Sequence, residues 1–157
     1  MFNIVLINPQ IPPNTGTTGR LCVNLGATLH LVKPLGFSID DKEVKRAGLD
    51  YWEKLDLKVW ENIDDFLANN PIDDRFHFAT TKTKNLYFQS KYKSGDYLVF
   101  GSETKGIPSE ILEMNPQKCI TIPMSSENGR SLNLALSVGI VTYEALRQNF
   151  ETIKDDL

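Results

Sequence analysis

The chain has 157 residues, 41% hydrophobic and 24% charged, with a net charge of −3. That is enough for one domain with a real core, and the composition is ordinary for a soluble globular protein. No apolar run approaches the roughly 20 residues of a membrane span, no secretory signal is expected ahead of Phe2 to Ile7, and a cytoplasmic protein is the expectation.

In chain order, Ile4 to Ile7 reads as a buried parallel strand, apolar on both faces. Pro12-Pro13-Asn14 breaks the chain, and Thr17 to Leu25 reads as a helix ended near Gly26. Leu29 to Val32 is a second strand, Asp40 to Arg46 a short charged helix and Leu57 to Trp60 a strand. Ile63 to Ala68 is a helix, Phe76 to Thr80 and Tyr97 to Phe100 are strands, and Ser109 to Met114 is a helix. Ile120 to Ile122 is the last strand, and Leu132 to Gln148 the last and longest helix. The alternation predicts a single α/β domain over residues 1–157, a mostly parallel sheet flanked by helices. Ligand sites in such sheets collect at the carboxyl ends of strands. The notable loops follow strands in that way: Asn8 to Gly16, Thr80 onward, Gly101 to Pro108 and Pro123 to Ser131.

Several chemistries fail for want of residues. Gly101 to Gly106 has the glycine spacing of a phosphate-binding loop, but Ile107-Pro108 stands where Lys-Ser/Thr is required. No G-x-G-x-x-G follows a strand, which disfavours a dinucleotide oxidoreductase. Cys22 and Cys119 lie among apolar residues and read as buried core positions. With only His30 and His77 beside them, no metal site is expected.

Two stretches invite ligands. Asn128, Arg130, Ser131 and Asn133 crowd polar groups at the mouth of the last helix, beside an apolar strand. This is either a helix cap by Ser131 or Asn128, or a site for a small polar molecule against a greasy wall. Lys82 to Lys93 holds four lysines, three aromatics and no acid. It is either a solvated loop whose aromatics fold onto the core, or a surface that contacts phosphates and stacks on bases. The last helix carries two apolar stripes about 180° apart at 100° per residue, Leu134, Val138, Val141, Ala145 and Leu132, Leu136, Ile140, Tyr143. One can pack on the sheet; the other predicts a second subunit, most simply a C2 homodimer.

Taken together, three motifs in order resemble the SPOUT RNA methyltransferases. Asn14-Thr15-Gly16-Thr17-Thr18-Gly19-Arg20 resembles the first, Leu98 to Pro108 the second, and Ile122-Pro123-Met124 through Ser131-Leu132-Asn133-Leu134 the third. Gly36-Phe37 and Arg46 to Tyr51 are similar to the small stand-alone subfamily that 2′-O-methylates the tRNA wobble nucleotide, position 34, a cytidine or modified uridine in the anticodon loop. The resemblance implies a C-terminal trefoil knot over about residues 76–150, an exception to ordinary chain topology. It implies S-adenosylmethionine as cofactor, contacted by Ala79, Thr80, Gly101, Ile122 and Ser131. It implies a homodimer and catalytic roles for Arg20 and Asn14. Arg130, Asn133 and Tyr143 are candidates for RNA or interface contacts, and Lys82, Lys84, Lys33 and Lys45-Arg46 for the tRNA backbone. Methylation of ribosomal RNA or another tRNA position, and an RNA-binding module without catalysis, are the alternatives.

Overall fold

The computed structural model describes residues 1–40, 42, 44, 46, 49–127 and 129–157. Six strands run in the order β1 (Asn3–Ile7), β2 (Thr28–Val32), β3 (Leu57–Trp60), β4 (Phe76–Ala79), β5 (Tyr97–Phe100) and β6 (Cys119–Ile120). Among the described residues the α-helices with defined bounds are α1 (Pro12–Leu25), α2 (Ile63–Asn69), α3 (Ser109–Met114) and α4 (Leu134–Ile153). The strands form one sheet in the order β3-β2-β1-β5-β4-β6, and every pairing is parallel. The α/β reading of the sequence holds.

The apolar runs are continuous because both faces of the sheet are covered. Alternate residues of a strand point to opposite faces, so β1 divides its side chains between two cores. Ile4 and Leu6 join Leu29, Leu31, Leu98 and Phe100 beneath α1 and α4. Val5 and Ile7 join Phe66, Phe76, Phe78 and Val99 beneath α2 and α3.

α4 runs five residues past the expected Gln148, to Ile153, and three other boundaries differ from expectation for a local reason. Pro12 and Pro13 start α1 rather than precede it. The first turn of a helix has no use for the missing N–H, and proline's fixed φ suits it. The helix then ends as expected at Gly26, whose φ of 64° is left-handed. At the other end of the chain, Asn133 rather than Ser131 caps α4, its side chain accepting from the Leu136 N–H. Leu132 therefore lies ahead of the helix. β6 stops at Ile120 because Thr121 turns to bond with Asn85 and Tyr87 instead. The predicted Asp40 to Arg46 helix rests partly on Asp41, Glu43 and Lys45, which lie outside the described residues, as do Ala47, Gly48 and Asn128.

The two histidines are both buried. His77 meets the Asp96 carboxylate at 2.8 Å. His30, 1% exposed, accepts at Nδ1 from the Trp60 indole N–H (3.1 Å), which leaves Nε2 to donate to Asn3 Oδ1 (3.0 Å). That pairing demands a neutral ring. Burial, followed by the nearby Lys58 charge, pushes the His30 pKa down to about 4. The unfolded chain then binds a proton near pH 6.5 that the folded chain refuses until about 4. Stability should fall as pH drops through that window, by up to about 3 kcal/mol from this residue. Urea denaturation at stepped pH should show this slope in the wild type and a flatter one in His30→Gln.

Candidate active site

The carboxyl ends of β1, β4, β5 and β6 all open to one edge of the sheet, and their loops are laced together there. The Thr80 N–H donates to the Ile120 carbonyl (2.9 Å), and the Thr121 N–H to the Asn85 carbonyl (2.8 Å). In the loop after β5, Gly106 N–H donates to the Ser102 carbonyl (3.0 Å) and Lys105 N–H to Ser102 Oγ (3.0 Å). A Cβ on Gly101 would lie 1.9 Å from the Gly106 carbonyl carbon and 2.1 Å from the Ile107 nitrogen. Only glycine lets the loop fold back so closely on the strand it leaves.

Glu103, at the crest of that loop, joins it to α1. Its carboxylate accepts from the backbone N–H groups of Gln10 (2.9 Å) and Ile11 (2.6 Å) and from Asn14 Nδ2 (3.3 Å). Ile11 occupies the cap position of α1 and has no side chain able to cap. The missing cap thus comes from 92 residues away. Asn14, 6% exposed, accepts at Oδ1 from Asn133 Nδ2 (2.9 Å). The amide orientations follow from the partners: Asn133 Oδ1 must accept from Leu136 N–H, so its nitrogen donates, and a carboxylate can only accept from Asn14. One polar chain therefore ties the mouths of α1 and α4 to the loop after β5.

Beside this chain lies a cavity of about 540 Å³. The five residues expected to meet a cofactor, Ala79, Thr80, Gly101, Ile122 and Ser131, all line it. So do Asn14, Arg130, Asn133 and Lys82. Arg20, Tyr143 and Lys84 do not. Arg20 is six positions past Asn14, about 120° away around the helix, on an exposed stripe with Pro13 and Thr17. Its guanidinium lies over the Tyr51 ring, 5.5 Å from the centroid. Tyr143 sits on the exposed side of α4, and Lys84 on the surface after β4. Lys45 lies outside the described residues.

Glu103 was missed as a functional position. Its signal was an acid in a glycine-bounded loop, in a chain whose first helix opens without a cap. Tyr51 was quoted only as part of a motif, and nothing in the sequence pairs it with Arg20. Burial raises the Cys22 thiol to about 12 and shifts Cys119 upward as well, so both are protonated core residues rather than nucleophiles. Among the described residues no group of His, Cys, Asp and Glu could hold a metal ion, and no helix is long and apolar enough to cross a membrane.

A parallel sheet with a polar-rimmed, apolar-walled cavity at its carboxyl edge defines an α/β ligand-binding domain. The model of the SpoU rRNA Methylase family matches residues 1–143, and the chain belongs to that family. The tRNA (cytidine(34)-2'-O)-methyltransferase of Burkholderia cenocepacia (strain HI2424) is 48% identical over 94% of this chain and 96% of its own length. A structure solved for insights into 2-OH methylation of C/U34 on tRNA is 39% identical and superposes with a TM-score of 0.90, covering 96% of this chain and 97% of that one. An AdoMet-bound rRNA methyltransferase from Sinorhizobium meliloti is 26% identical with a TM-score of 0.81, over 93% of this chain and 56% of that one.

If Glu103 is the cap of α1, Glu103→Ala should lower stability by about 1–3 kcal/mol. Glu103→Gln should recover part of it, because its amide oxygen can take the place of Oε2 toward Ile11 and Asn14 while its nitrogen would face the Gln10 N–H. A thermal melt of Glu103→Ala that matches the wild type would remove the residue from this role.

Proposed function

We propose that this protein methylates the ribose 2′-hydroxyl of the wobble nucleotide, cytidine or uridine 34, in the tRNA anticodon loop, using S-adenosylmethionine in the cytoplasm. The observation that carries the reading is the match in one cavity of all five expected cofactor residues, in a chain 48% identical over nearly its full length to a tRNA (cytidine(34)-2'-O)-methyltransferase.

The donor set of the cavity fits that cofactor. Phe100, Ile107, Ile122 and Leu134 offer apolar walls for a purine, with the Thr80 and Ser131 hydroxyls beside them. Arg130 and Lys82 supply positive charge for a carboxylate. When bound, the cofactor supplies a methyl group already activated by its positive sulfur. The protein's share is alignment and charge. Glu103, Asn14 and Asn133 hold the cavity wall in one arrangement, so little ordering remains to be done when substrate arrives. Arg20 cannot serve as a base, because guanidinium stays protonated. Its role is to hold a substrate phosphate or stabilise the developing alkoxide, while the hydroxyl proton leaves to water or a phosphate oxygen. Asn14 acts by position rather than by proton transfer. The trefoil knot belongs to the same reading, and the hydrogen bonds that join the loops after β4 and β6 accord with it.

The reading also needs two copies. Leu134, Val138, Val141 and Ala145 are buried beneath α4, whereas Leu136 is 53% exposed and Tyr143 51%. A second copy would cover that outer stripe. Arg20, outside the cavity of its own chain, would then act at the cavity of the other. Light scattering should report a dimer for the wild type and a monomer for Leu136→Glu/Tyr143→Glu; a monomeric wild type at micromolar concentration contradicts this arrangement.

The activity is tested by nucleoside mass spectrometry of undermodified tRNA incubated with protein and S-adenosylmethionine. The expected product is a 2′-O-methylated pyrimidine mapping to position 34, reduced at least about a hundredfold in Arg20→Ala, the scale of one lost charge-stabilising donor. Cofactor binding with no tRNA product would redirect the assay to ribosomal RNA.

A further inference from the structure

The segment that leaves the cavity at Lys82 carries a feature the cavity does not use. Phe88 is 47% exposed on the short 3-10 turn Tyr87–Gln89. A single exposed aromatic is common and needs no explanation. This one, however, is held on a clamped turn. The Tyr87 N–H donates to the Thr121 carbonyl (2.9 Å), and the buried Tyr92 hydroxyl donates to the Tyr87 carbonyl (2.6 Å). From α4, Gln148 donates to the Ser90 carbonyl (2.9 Å) and accepts from the Tyr92 N–H (3.0 Å). The Tyr87 ring stands edge-on to Phe88, 5.2 Å between centroids at 78°.

The charge along the segment is one-sided. Lys82, Lys84, Lys91 and Lys93 flank the turn with no acid among residues 82–93, in a chain whose net charge is −3. All four are exposed, and none is ion-paired among the described residues. Phe88 lies six positions after Lys82, which lines the cavity. Those positions span at most about 20 Å, within reach of a few nucleotides of one RNA strand. A fixed aromatic face bordered by unpaired cations is what a single-stranded nucleic acid contact requires.

We propose that Phe88 is a stacking platform for an unpaired base of the substrate RNA, with the flanking lysines holding its phosphates. This rests on the tRNA reading above and adds to it a contact outside the cavity. Within residues 82–93, Tyr92 folds onto the core, whereas Phe88 faces outward and is open to such a contact.

The test uses the full protein and an anticodon stem-loop RNA carrying 2-aminopurine at successive loop positions. One loop position should be quenched on binding to the wild type. Phe88→Ala should abolish that quenching and weaken binding on the order of tenfold, the loss of one base–aromatic stack, with an unchanged salt slope. Phe88→Leu, apolar but without a ring face, should behave like Phe88→Ala, and Phe88→Trp like the wild type. Lys84→Glu/Lys91→Glu should reduce the salt slope instead. Cofactor affinity should be unchanged in every variant at position 88. Equal affinity and quenching in Phe88→Ala overturns the platform. A changed oligomeric state in Phe88→Ala overturns it too and assigns the ring to a contact between copies. Methylation of tRNA by the same wild-type preparation separates the two claims. If it methylates tRNA and Phe88→Ala binds RNA equally well, only the platform fails; if it neither binds nor methylates tRNA, both fail.

Discussion

A single carboxylate holds the site together. α1 begins on an isoleucine that cannot cap and two prolines that bring no N–H; Asn14 N–H donates to the Ile11 carbonyl, which leaves the Gln10 and Ile11 N–H groups to find a partner elsewhere. Glu103 meets them from a loop 92 residues later in the chain. A charge-assisted bond to a helix N-terminus is among the stronger polar contacts a surface loop can make, and it also opposes the positive end of the helix dipole. Because the same carboxylate accepts from Asn14, it sets the direction of that amide, and through it the direction of Asn133. The cap of the first helix and the cap of the last are therefore one hydrogen-bonded system, and the cavity lies against it.

The sheet makes this possible by being indifferent to the chemistry. Its inner strands are buried on both faces, and its two cores would be much the same around any ligand. Apart from His30 and His77, which are buried with their own partners, the polar side chains of the site lie where the strands end, and the loops after β4 and β6 bond to one another there. Gly101 marks how tightly: the backbone of Gly106 and Ile107 occupies the space a side chain would need. A cavity made of such loops gains its rigidity from backbone contacts, which leaves side chains such as Ser131 and Arg130 free to face a ligand.

What the sequence made legible follows the same division. Strands declared themselves because full burial requires unbroken apolar runs, and their alternation with helices fixed the α/β class. The start of α1 was misplaced because proline breaks a helix everywhere except its first turn. The cap of α4 was placed on Ser131 or Asn128, since composition cannot say which of several adjacent capping residues meets the first turn; the fold selected Asn133. Glu103 was invisible for a more general reason. Its meaning is a contact across 92 residues, and no local pattern encodes a partner that distant. The proposed threading would be the extreme of this limit: residue periodicity reports which faces are buried and carries no record of which loop passes through which.

The last helix shows how much a pattern can say once the fold is known. The sequence displayed two apolar stripes on α4 without saying which faced the sheet. The structure buries Val138, Val141 and Ala145 and leaves Leu136 and Tyr143 open. Arg20 is open as well, on the outer stripe of α1, a helix that packs directly on α4. Burying α4's outer stripe against a second copy would remove apolar surface from water, and Leu136 and Tyr143 would each contribute on the order of 1–2 kcal/mol from the half they expose. The same step would bring α1 of one copy toward the loops of another. Association and catalysis then become linked properties. Among the described residues Arg20 meets the Tyr51 ring alone, and in the proposed dimer its guanidinium would serve the cavity of the second copy.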